Sequence, residues 1–83
     1  MKLYKVGSNN CPGCKKLQGM LEHYKIEVIP INIDEPEGLK FAQEHGISTL
    51  PSLVKVTDNG TEKLLGLRSL QETLSFCSYC DIL

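Results

Sequence analysis

Apolar and polar positions alternate over "KLYKV", residues 2–6, with Leu3 and Lys5 on one side and Tyr4 and Val6 on the other, the two-residue period of a strand. The run "IEVIPINI", Ile26 to Ile33, is nearly all apolar and β-branched and predicts a second strand, largely buried and parallel to the first. Between them, Cys14, Leu17, Leu21 and Tyr24 recur at helical spacing with Met20 on the same face. Cys11–Tyr24 therefore reads as the helix that crosses from one strand to the next. Gly19 inside it costs about 1 kcal/mol relative to alanine, too little to break the pattern.

"DEPEGLKFAQEHG" offers Asp34 as a helix cap with Glu37 three residues on, Pro36 in the first turn and Gly46 at the stop. It predicts a helix of about three turns with Leu39 and Ala42 among its inward residues. "PSLVKVTDNGTEKLLGL" then holds two apolar runs around Asp58, Asn59 and Gly60, which is hairpin chemistry. After Gly66, the segment "SLQETLSFCSYC" sets Leu70, Leu74 and Cys77 on one helical face, with Ser69 as its cap. The order is βαβ followed by ββα, an α/β fold with a four-stranded mixed sheet and helices on both faces. No repeat, linker or low-complexity stretch interrupts it, so residues 1–83 are expected to form a single domain.

A chain of 83 residues has a core near the lower limit for unaided folding, which makes a disulfide or a metal a serious structural option. The net charge of −1, with lysines and carboxylates interspersed, carries no electrostatic footprint for nucleic acid or an anionic membrane. Lys2 and Lys5 break the apolar run of the N-terminus, which is not a signal-peptide pattern, and no stretch reaches membrane-spanning length. The expected setting is cytoplasmic and reducing, where a CxxC pair is more often catalytic or metal-binding than a permanent staple.

The chemistry concentrates in "SNNCPGCKK", Ser8 to Lys16, where Cys11 and Cys14 are separated by Pro12 and Gly13 alone. Such a pair can be a staple, half of a metal site or a reactive dithiol, and the second pair, Cys77 and Cys80, keeps the metal reading open. Cys11 falls in the first βα loop, at the carboxyl end of a parallel strand, where open α/β sheets place their chemistry. At a helix N-terminus, free amides and the macrodipole favour a thiolate on Cys11, expected to be exposed, with Cys14 tucked beneath it. A thiol with pKa near 8.5 is about 3% ionised at pH 7, and a fall of about 1.5 units makes it about half thiolate. Pro12 pre-sets a helical φ, and Gly13 lets a partner chain come close to the sulfur.

The strand, the "CPGC" opening a helix, the "TLP" at Thr49–Pro51 before a hairpin and the glycine after its second strand together resemble the thioredoxin/glutaredoxin superfamily, along essentially the whole chain. The resemblance implies a thiol-disulfide oxidoreductase with no cofactor, Cys11 as nucleophile and Cys14 as resolver. It implies a cis Pro51 against the dithiol, and a substrate surface of Pro12, Gly13, Thr49, Leu50, Pro51, Gly66 and Leu67. The backbone of Thr49 or Leu50 would pair with an extended substrate segment.

Glutathione-using glutaredoxins usually carry an aromatic residue between the cysteines, basic residues at the glutathione site and a double glycine with acidic residues after the last strand. Here Pro12 and Gly13 lie between the cysteines, and Leu67 stands where the second glycine would be. Thioredoxins have a tryptophan before the first cysteine and a buried aspartate on the preceding strand, where this chain has Asn10 and Lys5. "GLR" resembles the "GFR" of NrdH-type redoxins, small glutaredoxin-like proteins that reduce ribonucleotide reductase. The preferred reading is a monomeric reductant of protein disulfides, recharged by a thioredoxin-reductase-type flavoenzyme, with glutathione as the alternative reductant.

A zinc site of Cys11, Cys14, Cys77 and Cys80 would need all four sulfurs within tetrahedral reach, at about 2.3 Å from the metal. The last helix climbs about 12 Å from Ser69 to Cys77, away from the first pair, which argues against it. A metal-binding or scaffold module remains the alternative from another class. Cys77 shares its face with Leu70 and Leu74 and reads as a buried small hydrophobe, with Cys80 near the end exposed. Lys15 and Lys16 read as solvated surface, Tyr24 as core, and His23 and His45 as helix-end residues without catalytic pattern.

Overall fold

Two inner strands, each paired along both edges, organise the molecule. In the computed structural model, which describes residues 2–67 and 69–77, β1 (Lys2–Gly7) pairs in parallel with β2 (Ile29–Asn32) and antiparallel with β3 (Ser52–Thr57). β4 (Gly60–Leu65) completes a hairpin with β3, and the order across the sheet is β2-β1-β3-β4. The helices are α1 (Pro12–His23), α2 (Pro36–Glu44) and α3 (Leu70–Phe76).

The alternation along β1 sorts the core into two layers. Leu3 packs with Leu17 and Leu21 of α1, Leu53 of β3 and Cys77 at the end of α3. On the opposite face Val6 packs with Ala42 of α2 and Val54 of β3, with Tyr4, Ile31, Phe41 and Leu50 around them. Tyr4 thus lies on the α2 side, its ring 4.9 Å from that of Phe41. Helices cover both faces of a mixed four-stranded sheet, as the hydrophobic pattern predicts. The hairpin turns at Asp58–Asn59 with Thr57 opposite Gly60, whose φ of 130° suits glycine.

Four expectations need correction. The second strand is shorter than its apolar run and lies at an edge: Ile29 is 43% exposed and Pro30 is exposed. Pro30 has no N–H to give an outer neighbour, and Lys25 takes the left-handed conformation at the end of α1, with the Ile26 amide bonded to Leu21 O at 2.9 Å. That turn holds Ile26 and Val28 against the Leu17–Leu21 layer instead of in the sheet. Second, Asp34 does not cap α2; Glu35 holds that position without a side-chain bond, and Asp34 Oδ2 instead accepts from Asn9 N at 2.8 Å.

Third, Leu39 points outward, 45% exposed. The face of α2 that meets the sheet is set by Gly38, where an added Cβ would lie 1.8 Å from the backbone oxygen of Asn32. Only a residue without a side chain permits that approach, and it rotates Phe41 and Ala42 inward in place of Leu39. Fourth, Leu70 is 40% exposed, because the buried stripe of α3 begins a turn later with Thr73, Leu74 and Cys77. Ser69 does cap α3, accepting from Glu72 N at 3.2 Å.

Alanine at a helical glycine ordinarily adds about 1 kcal/mol of helix stability. At Gly38 the sign is expected to reverse: Gly38→Ala should lower unfolding stability by about 1–3 kcal/mol in guanidinium titrations, because α2 must retreat from β2. A variant as stable as the parent would show that the helix is not seated this closely.

Candidate active site

The site forms where β1 hands the chain to α1. Cys11 is the N-cap of α1, with extended backbone at φ −129° and ψ 97°, and its sulfur accepts from Cys14 N at 3.1 Å. Pro12, at the first helical position, sacrifices no hydrogen bond. The sequence thus places a sulfur where a helix start offers a free amide, which favours negative charge on it when the pair is reduced. In this structure Cys11 and Cys14 form a disulfide with Cα atoms 5.2 Å apart.

Cys14 packs against the end of β1. A Cβ added to Gly7 would lie 2.8 Å from its sulfur, so glycine here is what lets α1 settle onto the strand. The expectation of an exposed first cysteine and a covered second one is corrected: Cys11 is 9% and Cys14 7% exposed. The Cys11 sulfur is bonded to Cys14, and Pro12 is the exposed member of the motif.

The residues far along the chain arrive at the other side of the pair. The Leu50–Pro51 bond is cis, and Pro51 is fully buried. Gly13 sits over it: an added Cβ would stand 3.1 Å from Pro51 Cδ and 3.9 Å from Leu67 Cδ2. Gly66, at φ 79°, brings the end of β4 beside Thr49, whose Cγ2 would lie 3.4 Å from a Cβ there. Gly13, Thr49, Pro51, Gly66 and Leu67 therefore meet at one place, with Leu67 43% exposed. Leu50 differs, since its side chain packs toward the Val6–Val54 layer and leaves only its backbone for this surface.

Some participants were not singled out from the sequence. Ser52, 1% exposed, donates its hydroxyl to Thr49 O and accepts from Gly66 N at 3.4 Å, tying the cis-proline segment to the end of β4. A lone hydroxyl opening the apolar run "PSLV" was the available signal. Asn9 and Asn32 join Asp34 in holding the loop before Cys11: Asn32 Nδ2 donates to Asn9 Oδ1 at 2.8 Å, and Asp34 N to Asn32 Oδ1 at 2.9 Å.

On the side away from Pro51 an open groove of about 340 Å³ runs along α1, lined by Cys11, Cys14, Lys5, Lys15, Gln18 and Glu22 among others. Lys5 Nζ donates to Gln18 Oε1, and Gln18 Nε2 donates to Glu22 Oε1 at 2.9 Å. Burial lowers the Lys5 ammonium from its ordinary pKa, and the Glu22 carboxylate acts against that fall.

The remaining candidates lie elsewhere. Cys77 is 8% exposed in the Leu3–Leu21 layer, where burial pushes its thiol pKa up and Lys55 partly opposes the rise. Cys80 lies outside the described residues, as does any pairing with it. Among the described residues no cluster of His, Cys, Asp and Glu could hold a metal ion, and no helix is long and apolar enough to cross a membrane. His45 is engaged by Phe41, ring against ring at 4.2 Å, and His23 by Tyr24 at 4.9 Å. Tyr24 is half-buried where α1 ends.

Solved structures share this arrangement of strands and helices. The thioredoxin-like protein BC3987 superposes with a TM-score of 0.70 at 17% identity, over 92% of this chain and 99% of its own. A thioredoxin from Thermus thermophilus gives 0.70 at 20% identity, over 96% of this chain and 72% of its own. Thioredoxin 1 from Thermosipho africanus gives 0.70 at 18% identity, over 99% and 97%.

The chain has a thioredoxin-like fold. No protein-family model matches its sequence, and no curated protein sequence does. At this level of identity the likeness establishes the thioredoxin-like architecture, and the chemistry rests on the site. A cysteine pair that closes into a disulfide at a helix start is equipped for thiol-disulfide exchange.

Because its raised pKa keeps Cys77 in the unreactive thiol form at pH 7–8, iodoacetamide is expected to modify it at least roughly tenfold more slowly than Cys11 in reduced, folded protein. Mass spectrometry of timed samples reads the order. Equal rates in the folded state would contradict the packing assigned to Cys77.

Proposed function

We propose that the protein is a dithiol-disulfide oxidoreductase that reduces disulfides in other proteins. Cys11 is the nucleophile and Cys14 the resolver. The Cys11 thiolate attacks a substrate disulfide, forming a mixed disulfide and releasing one substrate thiolate. Cys14, having lost its proton to water, then attacks the Cys11 sulfur. The Cys11–Cys14 bond forms, the bond from Cys11 to substrate breaks, and the second substrate sulfur leaves as a thiolate that takes up a proton. The dithiol loses two electrons, and the substrate disulfide gains them.

The observation that carries this reading is Gly13 seated against Pro51 beside the Cys11–Cys14 pair. Pro12, Gly13, Thr49, Pro51, Gly66 and Leu67 bear no charge, and with the Leu50 backbone they suit an extended peptide better than a small charged thiol. These uncharged residues favour a protein partner as substrate and a flavoenzyme of the thioredoxin-reductase type as reductant over glutathione. The setting we infer is the cytoplasm, with the protein acting as a monomer. The NrdH-like "GLR" motif makes the disulfide of ribonucleotide reductase the target to try first.

The reading is tested by NADPH-coupled reduction of insulin and of oxidised ribonucleotide reductase, with thioredoxin reductase or with glutathione and its reductase as the electron source. Turnover is expected with the flavoenzyme and to be at least roughly tenfold slower with glutathione, and Cys11→Ser should abolish it. Full activity of Cys11→Ser would overturn the assignment, and preference for glutathione would make the protein a glutaredoxin.

A further inference from the structure

Lys5 occupies an unusual place for a lysine, on an inner strand and facing the helix that carries the dithiol. Strand residues two apart share a face, so Leu3, Lys5 and Gly7 all face α1. Helix residues four apart form one stripe, here Cys14, Gln18 and Glu22. The two rows are in register. Cys14 lies over Gly7, as the 2.8 Å approach of its sulfur to an added Cβ shows, and Gln18 lies over Lys5, whose Nζ donates to Gln18 Oε1. The ammonium therefore sits one step along the strand and one turn along the helix from the Cys14 sulfur, and both line the same open groove.

The charges in that groove are ordered. Gln18 turns its carbonyl to Lys5 and its amide to Glu22, so the positive end of the chain of hydrogen bonds lies toward Cys14. The negative end lies two turns away, about 12 Å along the helix. Lys15 is the other charged residue on the groove. On the Pro51 side, the described residues near the pair, Thr49, Leu50, Gly66 and Leu67, are uncharged. Glu22 is the carboxylate among the residues that line the groove.

We propose that Lys5 is a positioning residue for the resolving step, its ammonium stabilising the negative charge that Cys14 carries just before it attacks the mixed disulfide. The proposal rests on the dithiol reading above. Cys14 is 7% exposed and poorly solvated, so a thiolate there needs a charge supplied by the protein. Burial makes the Lys5 ammonium costly to hold, and Glu22, through Gln18, keeps it in place. The same charge acts in reverse when the protein is recharged: an incoming reductant thiolate attacks Cys11, the Cys11–Cys14 bond breaks and Cys14 leaves as the thiolate. The reductant's second thiol then releases Cys11, and two electrons pass to the pair.

Stopped-flow mixing of the reduced protein with excess 5,5′-dithiobis(2-nitrobenzoate) separates the two steps. Attack by Cys11 releases one nitrothiobenzoate, and attack by Cys14 on the resulting mixed disulfide releases a second. The full chain is used in a Cys80→Ser background, which leaves the slow, buried Cys77 as the remaining extra thiol. Lys5→Met is expected to move the pH midpoint of the second release up by about one unit, a roughly tenfold loss of rate at pH 7, while the first release changes less than about twofold. Lys5→Arg, which keeps the charge, should restore the midpoint. Circular dichroism confirms that each variant is folded, and if Lys5→Met is not, Lys5→Gln replaces it. Superimposable second-release profiles in charged and neutral variants would overturn the role of Lys5. Absence of a Cys14-dependent second release in the parent would instead overturn the dithiol reading.

Discussion

The contact between Gly7 and Cys14 is the constraint on which the site depends. β1 is paired along both edges, and an added Cβ at Gly7 would stand 2.8 Å from the Cys14 sulfur. The start of α1 is therefore pinned to an inner strand of the sheet. Once it is there, Cys11 falls at the cap and Gly13 falls over Pro51, the residue before β3. A second neighbour of β1 thus supplies the opposite wall of the site, and Ser52 links that wall to Gly66 at the end of β4. The chemistry sits where three strands of one sheet control it, which is how a small domain can hold a reactive pair with little help from its loops.

Two kinds of surface meet at the disulfide. Toward Pro51 the described residues are uncharged and partly apolar, suited to a partner chain. Toward Lys5 the surface is an open groove with an ordered line of charges. Under the proposed function, separating them lets docking and the charge on Cys14 be tuned by different residues. The cost falls on Lys5, whose charge is partly withdrawn from water at the edge of the core.

Much of this was legible in the sequence, because short-range periodicity and turn chemistry determine it. The alternation in "KLYKV" assigned Leu3 and Val6 to opposite layers, "TDNG" located the hairpin, and "CPGC" with the distant "TLP" pointed to the thioredoxin-like fold. What was missed depends on contacts between segments far apart in the chain. Leu39 looked inward by periodicity, but the approach of Gly38 to the Asn32 backbone chose the face of α2. Asp34 had the pattern of a cap, but its carboxylate serves the Asn9 loop. "IEVIPINI" read as a buried strand, though Pro30 suits it to an edge. The alternation of "KLYKV" places Lys5 on the Leu3 face, but its pairing with Gln18 depends on the register of β1 against α1.

The central claim, that Cys11 meets the substrate and Cys14 resolves it, is tested most directly by trapping the intermediate. Cys14→Ser incubated with a disulfide-bearing protein should accumulate a covalent adduct, and peptide mapping of the adduct should place the substrate sulfur on Cys11. No adduct, or attachment through Cys77, would contradict the account.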